Sequence, residues 1–150
     1  MRGKVKAVCV SAQKGVKKNP VGEISLEANY GVKGDAHAQY DSIRQVSLLA
    51  TESIEKIKAL GLEVGPGDFA ENITISGVDL PSLKVGTLLK IGEAIGEVSQ
   101  IGKECHDRCN IYKTVGDCVM PREGIFIKVV RSGKVTPGDE LIVLEGKEVE

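Results

Sequence analysis

Tryptophan is absent from the 150 residues and aromatic residues make up only 3% of them, so a stacking platform for single-stranded bases would rest on very few rings. Net charge is also scarce. Twenty basic side chains face 21 acidic ones, for a formal charge of -1, which leaves neither an electrostatic footprint for nucleic acid nor a polybasic patch for a membrane surface. No apolar run approaches the roughly 20 residues that span a bilayer. The opening Met1-Arg2-Gly3-Lys4-Val5-Lys6 is interrupted by charge, whereas a secretory signal needs about 7 to 15 uninterrupted apolar residues. The expectation is a cytoplasmic protein with no nucleic acid and no membrane among its partners. In that reducing compartment the 4 cysteines are expected to bind metal or do chemistry rather than to form structural disulfides.

Three of those cysteines fall in one stretch, Ile101 to Cys118. Cys105, Cys109 and Cys118 stand as C-x3-C-x8-C, with Lys103, His106 and Arg108 beside them. Positive neighbours lower a thiol pKa, so Cys105 is a candidate reactive thiolate. Thiolates also select soft, thiophilic metals, and Cys105, Cys109 and Cys118 are candidate metal ligands. A structural zinc site built from the three with a histidine is a rival, although the adjacent Cys105 and His106 would not readily chelate together. In a third alternative the chain is a protein-interaction module and the cysteines are reduced and inert. The sequence leaves these open.

The hydrophobic content of 41% supports one ordinary domain over residues 1–150, with a core from about 5 to 144. Lys4 to Ser11 reads as a strand covered on both faces, which makes Cys9 a small core residue. Gln13 to Pro20 is a turn region, and Val21 to Ala28 a second strand. In Gly31-Val32-Lys33-Gly34-Asp35-Ala36-His37 two glycines permit a tight turn with close backbone approach; taken alone, it is a strand connection with a solvated acid and histidine. Arg44 to Leu49 has strand character and leads into a helix from Thr51, its expected N-cap, to Leu60, with Ala50, Ile54, Ile57 and Leu60 on the buried stripe and Gly61 ending it. Phe69 to Ile75 alternates toward a strand whose Asn72 could bond a ligand or its own turn. Thr87 to Ile91, Ala94 to Ile101, Gly124 to Arg131 and Leu141 to Leu144 are further strands, with a turn at Ser132-Gly133-Lys134. Many short β segments punctuated by glycine favour a mostly β barrel or sandwich with one or two helices.

Several phrases in this order resemble the MOSC domain, named after the C-terminal part of molybdenum cofactor sulfurases. They are Gly31 to His37, Arg44 to Leu49, Gly67-Asp68-Phe69-Ala70-Glu71-Asn72-Ile73, Leu83 to Gly92, and the strand ending at Cys105. The resemblance implies a β-barrel fold and a role with the molybdenum cofactor (molybdopterin), with Cys105 carrying sulfur as a persulfide or ligating molybdenum. It also implies cofactor contacts at Lys33, Gly34, Asp35, His37, Arg44, Asn72 and Lys103. The approach Ile101-Gly102-Lys103-Glu104 departs from the prolines and the proline-arginine pair that many relatives carry before the cysteine. The full sulfurases add a pyridoxal-phosphate domain for which this chain has no room. A separate sulfur donor, such as a cysteine desulfurase, is therefore expected as partner, with cofactor biosynthesis proteins or molybdoenzymes downstream.

Overall fold

Short apolar runs become eleven strands and one α-helix among the described residues: β1 Arg2–Val10, β2 Asn19–Val21, β3 Ile24–Glu27, β4 Gly31–Val32, β5 Val46–Ala50, α1 Thr51–Lys58, β6 Ile73–Ser76, β7 Leu88–Ile91, β8 Ala94–Ile101, β9 Ile125–Arg131, β10 Gly133–Val135 and β11 Glu140–Leu144. The structure is a computed structural model and describes residues 2–14, 16–102 and 123–144. Lys103, Cys105, His106, Arg108, Cys109 and Cys118 lie outside the described residues.

Seven strands run in the order β11-β7-β8-β9-β5-β6-β1, and pairing of β1 with β11 closes them into a barrel. Closure satisfies the backbone groups that an open sheet would leave at its edges. Neighbouring strands are antiparallel except β5 and β6, and a parallel pair needs a crossover. The segment containing α1 supplies it. Inward-facing Val5, Val8, Val46, Leu48, Ile73, Ile75, Ile125 and Ile127 meet in the barrel core, each fully buried aliphatic side chain contributing about 1.5–3 kcal/mol. Leu49, on the other face of β5, packs with Ile54, Ile57, Val64 and Phe69 in a second core beneath α1.

The small sheet β10-β3-β4 adds Ile24, Leu26, Val32 and Val135 to the barrel core. It approaches the start of β5 closely: Gly31 has φ +132°, and a Cβ there would lie 2.7 Å from the Gln45 carbonyl oxygen. Only glycine accommodates both constraints.

The mostly β barrel expected from the sequence is what forms, and several boundaries differ for identifiable reasons. Val5 and Val8 both reach the barrel core, although strict alternation puts them on opposite faces. A register shift between Val5 and Ala7 changes the phase, as an extra residue in one strand does. The expected strand Val21 to Ala28 is divided into β2 and β3 by Gly22 and Glu23. Ser132-Gly133-Lys134 is not simply a turn, because Gly133 and Lys134 pair with Leu26 and Ser25. That partner lies more than a hundred residues away, beyond the reach of local pattern. The expected strand at Phe69 begins only at Ile73. Thr51 is the first helical residue rather than the N-cap, which is Ala50 with no side-chain cap hydrogen bond. The helix ends at Lys58, and Leu60 is 55% exposed, outside the buried stripe. Gly61, at φ +96°, takes the left-handed conformation suited to the helix exit.

Candidate functional site

Successive strands place one row of polar groups along the outside of the barrel. The Cys9 N–H donates to the Asn72 carbonyl at 2.7 Å, and Asn72 Nδ2 donates to the Cys9 carbonyl at 3.1 Å. Asn72 Oδ1 accepts from the Ser47 N–H at 3.1 Å and from Ser47 Oγ at 3.2 Å. Ser47 stands opposite Phe126, and Phe126 opposite Gln100. Asn72 is thus bonded to β1 and β5, not to its own turn, and is 1% exposed.

At the far end of this row, Arg44 lies over the Phe126 ring, 5.7 Å from its centroid, a cation–π placement. Arg44 Nε donates to Gln100 Oε1 at 3.0 Å. Gln100 Nε2 donates onward to the Gly102 carbonyl at 2.8 Å. The Gly102 N–H in turn donates to the Gly124 carbonyl at 2.6 Å. These bonds fix the two chain ends between which the cysteine-rich sequence runs. Glu123, on the return side, accepts from Ser53 Oγ at 2.6 Å and Lys56 Nζ at 3.0 Å, so α1 holds that end. Arg44 itself is exposed.

The other end of the row holds a buried ionic group. Asp35, expected to be solvated, is buried together with Lys18. Lys18 Nζ reaches Asp35 Oδ1 at 2.8 Å, Asp35 Oδ2 at 3.1 Å and His37 Nδ1 at 3.0 Å. Asp35 also accepts from the N–H groups of Ser11 at 3.1 Å and His37 at 3.0 Å. Burial pushes the Asp35 pKa up, but the donors from His37, Lys18 and Ser11 outweigh it and hold the carboxyl well below the usual carboxylate range. Lys33 and Gly34, in the same turn, are exposed.

Lys18 had no signal in the sequence, where it is one of several lysines in a turn. Its N–H donates to the Gly67 carbonyl at 2.8 Å. A Cβ on Gly67 would collide with the Lys18 carbonyl oxygen and stand 3.2 Å from Cys9 Sγ. Cys9 is fully buried. Burial first, then the carboxylates of Glu71 and Asp68, push its thiol up to about 12 against the opposing pull of Lys18. Glu71, also inaccessible, accepts from Thr74 Oγ1 at 3.0 Å and the Phe69 N–H at 3.3 Å. Burial outweighs those bonds and raises its pKa.

The structure therefore brings Asp35 and His37 together around Lys18, connects Asn72 to β1 and β5, and ties Arg44 through Gln100 to Gly102. Among the described residues no group of three or more His, Cys, Asp or Glu side chains is arranged to hold a metal ion. The family model for the MOSC domain matches residues 34–142. The chain belongs to the MOSC domain family.

Solved structures agree on the fold. The YuaD protein from Bacillus subtilis aligns with a TM-score of 0.77 at 20% identity, over 94% of this chain and 94% of that one. YiiM from Geobacillus stearothermophilus aligns at 0.71 and 18% identity, over 95% of this chain and 75% of that one. YiiM from Escherichia coli aligns at 0.68 and 22% identity, over 97% and 70%. No curated protein sequence matches the chain. The MOSC family is associated with molybdenum cofactor-related proteins, and among the described residues no helix is long and apolar enough to cross a membrane.

Proposed function

We propose that this MOSC domain binds the molybdenum cofactor and accepts sulfur on Cys105 during cofactor biosynthesis or sulfuration. The observation that carries this reading is the family match over residues 34–142, which includes the cysteine-rich sequence and every candidate cofactor contact except Lys33. The exposed Arg44 supports it. Arg44 uses Nε on Gln100, and its terminal nitrogens make no hydrogen bond to another described residue. A planar guanidinium suits the phosphate of a pterin cofactor, and exposed Lys33 adds a second cation. Metal ligation would fall to the cysteines outside the described residues.

In the sulfur step, the Cys105 thiolate attacks the terminal sulfur of a donor persulfide. A new S–S bond forms on Cys105 as the donor's S–S bond breaks, and the donor departs as a thiolate. No net oxidant is consumed. A cysteine desulfurase has the chemistry of such a donor, and a cofactor biosynthesis protein or molybdoenzyme that of the acceptor. When bound, the cofactor would supply a thiophilic molybdenum centre.

The test is persulfide transfer, bound metal, pterin content and thermal unfolding for the four single Cys→Ser variants. Cys105→Ser is expected to abolish transfer while the fold persists, since a hydroxyl does not ionise near neutral pH and the side chains differ little in size. Undiminished transfer by that variant removes Cys105 from the mechanism. Joint loss of bound zinc and stability in the Cys105, Cys109 and Cys118 variants would establish a structural zinc site instead.

A further inference from the structure

We infer that Lys18 is a positioning residue that holds His37 as the neutral Nε2–H tautomer, so that the domain presents a fixed N–H donor to an acceptor oxygen of its ligand. The ligand half of this inference rests on the function proposed above; the tautomer half does not.

A lysine ammonium has three N–H donors and no acceptor. Lys18 Nζ has three neighbours within hydrogen-bond range: Asp35 Oδ1 at 2.8 Å, Asp35 Oδ2 at 3.1 Å and His37 Nδ1 at 3.0 Å. Asp35 takes Lys18 Nζ on both oxygens and accepts the backbone N–H groups of Ser11 and His37, a donor set that suits a carboxylate, and so Lys18 is its ammonium counterion. With every Lys18 proton assigned, His37 Nδ1 must accept, and a neutral imidazole that accepts at Nδ1 carries its proton on Nε2. The opposite tautomer would direct a second N–H at the ammonium. Asp35 Oδ2 could not accept from it instead, at 3.7 Å from Nδ1.

Burial adds the direction. The Lys18 and Asp35 side chains are 1% and 0% exposed, whereas the His37 side chain is 27% exposed. The pair is therefore closed to a ligand, and the ring is the part of the group that a ligand can reach. Nε2 lies on the ring edge opposite the buried ammonium. The His37 backbone is held as well, by its own N–H on Asp35 Oδ2 at 3.0 Å. Formally the three side chains sum to zero charge, so the group offers a directed donor rather than a cation. The acceptor it suits is a carbonyl, oxo or phosphate oxygen of the cofactor.

The chain contains 2 histidines, so His37 is assigned in a nitrogen-15 NMR spectrum by the signal that His37→Gln removes. The wild type is expected to show Nε2 protonated and Nδ1 bare. In the Lys18→Met/Asp35→Asn double variant, which removes both buried charges together and so spares the fold an unpaired ion, the two tautomers are expected to mix. A wild-type ring protonated at Nδ1, or an unchanged tautomer in a folded double variant, overturns the role of Lys18.

The ligand half is tested with isolated molybdenum cofactor as the probe. The amide nitrogen of glutamine sits where Nε2 does in histidine, so His37→Gln is expected to retain binding, whereas His37→Ala loses about tenfold for one hydrogen bond. Equal affinity of His37→Ala and wild type overturns the acceptor assignment. If the wild type takes up no cofactor, the proposed function fails and the acceptor assignment with it, while the tautomer spectrum still decides what Lys18 does.

Discussion

Lys18 Nζ lies 2.8 Å from Asp35 Oδ1 with both side chains closed to solvent. A buried pair of this kind behaves asymmetrically under mutation, because removing one partner strands the other charge in a low-dielectric site. Lys18→Met is expected to cost about 3–5 kcal/mol of unfolding free energy. Adding Asp35→Asn should recover part of that loss, since the remaining amide oxygen still accepts a backbone N–H. Urea unfolding of the single and double variants measures both effects. A single-variant loss below about 1 kcal/mol, the size of a solvated surface pair, would contradict the burial.

Two buried carboxyls give stability a pH dependence of opposite sign. The folded-state pKa of Asp35 is depressed from its ordinary 3.8. Its contribution is therefore present above that value and declines as the pH falls below it. Glu71 is raised above its ordinary 4.5, so its ionisation opposes folding, and stability falls as the pH rises through its folded-state value. Together they put the stability maximum on the acid side of neutral. Glu71→Gln should flatten the neutral limb of the profile without moving the acid limb. Unfolding midpoints across the pH range, compared between wild type and variant, check this, and an unchanged neutral limb would show that Glu71 ionises freely in the fold.

The barrel was legible in the sequence because it depends on local pattern. Ala94–Ile101 emerges with the boundaries its apolar run implies, and Ile54 and Ile57 face the core as helical spacing requires. The Lys18–Asp35–His37 group was only half legible. Asp35 and His37 stand out because two glycines, Gly31 and Gly34, lead into them, but Lys18 is buried by Gly67 and by the end of β1, contacts that no local pattern encodes. Asn72 was recognisable as polar, while its two strand partners, Cys9 and Ser47, are 63 and 25 residues away. The phase change at Val5 and Ala7 was hidden for the same reason: a bulge is defined by the partner strand.

Ala70 adopts φ +63°, between Gly67, whose carbonyl accepts the Ala70 N–H at 3.0 Å, and Asn72, whose side chain joins the strands. The left-handed conformation costs an L-residue about 1–2 kcal/mol, a cost glycine escapes at some expense in unfolded-chain entropy. Ala70→Gly is expected to stabilise the domain by up to about 1 kcal/mol. Chemical denaturation measures the change; a clear destabilisation would mean that the methyl group packs in a way that outweighs the backbone conformation.

Cys9 offers a built-in contrast to Cys105. Its thiol is fully buried and pushed up to about 12, so near pH 8 only about one molecule in ten thousand carries the thiolate that reacts, against roughly a quarter for an ordinary exposed cysteine. Burial also denies the alkylating reagent access to sulfur. Native protein treated with iodoacetamide and digested for mass spectrometry should therefore return the Cys9 peptide unmodified, and denatured protein should return it fully alkylated. The same experiment on Cys9→Ser should leave labelling of the remaining cysteines and persulfide transfer unchanged. Rapid native alkylation of Cys9 would instead require the Gly67 loop to open away from β1, and would expose the Lys18–Asp35 pair with it.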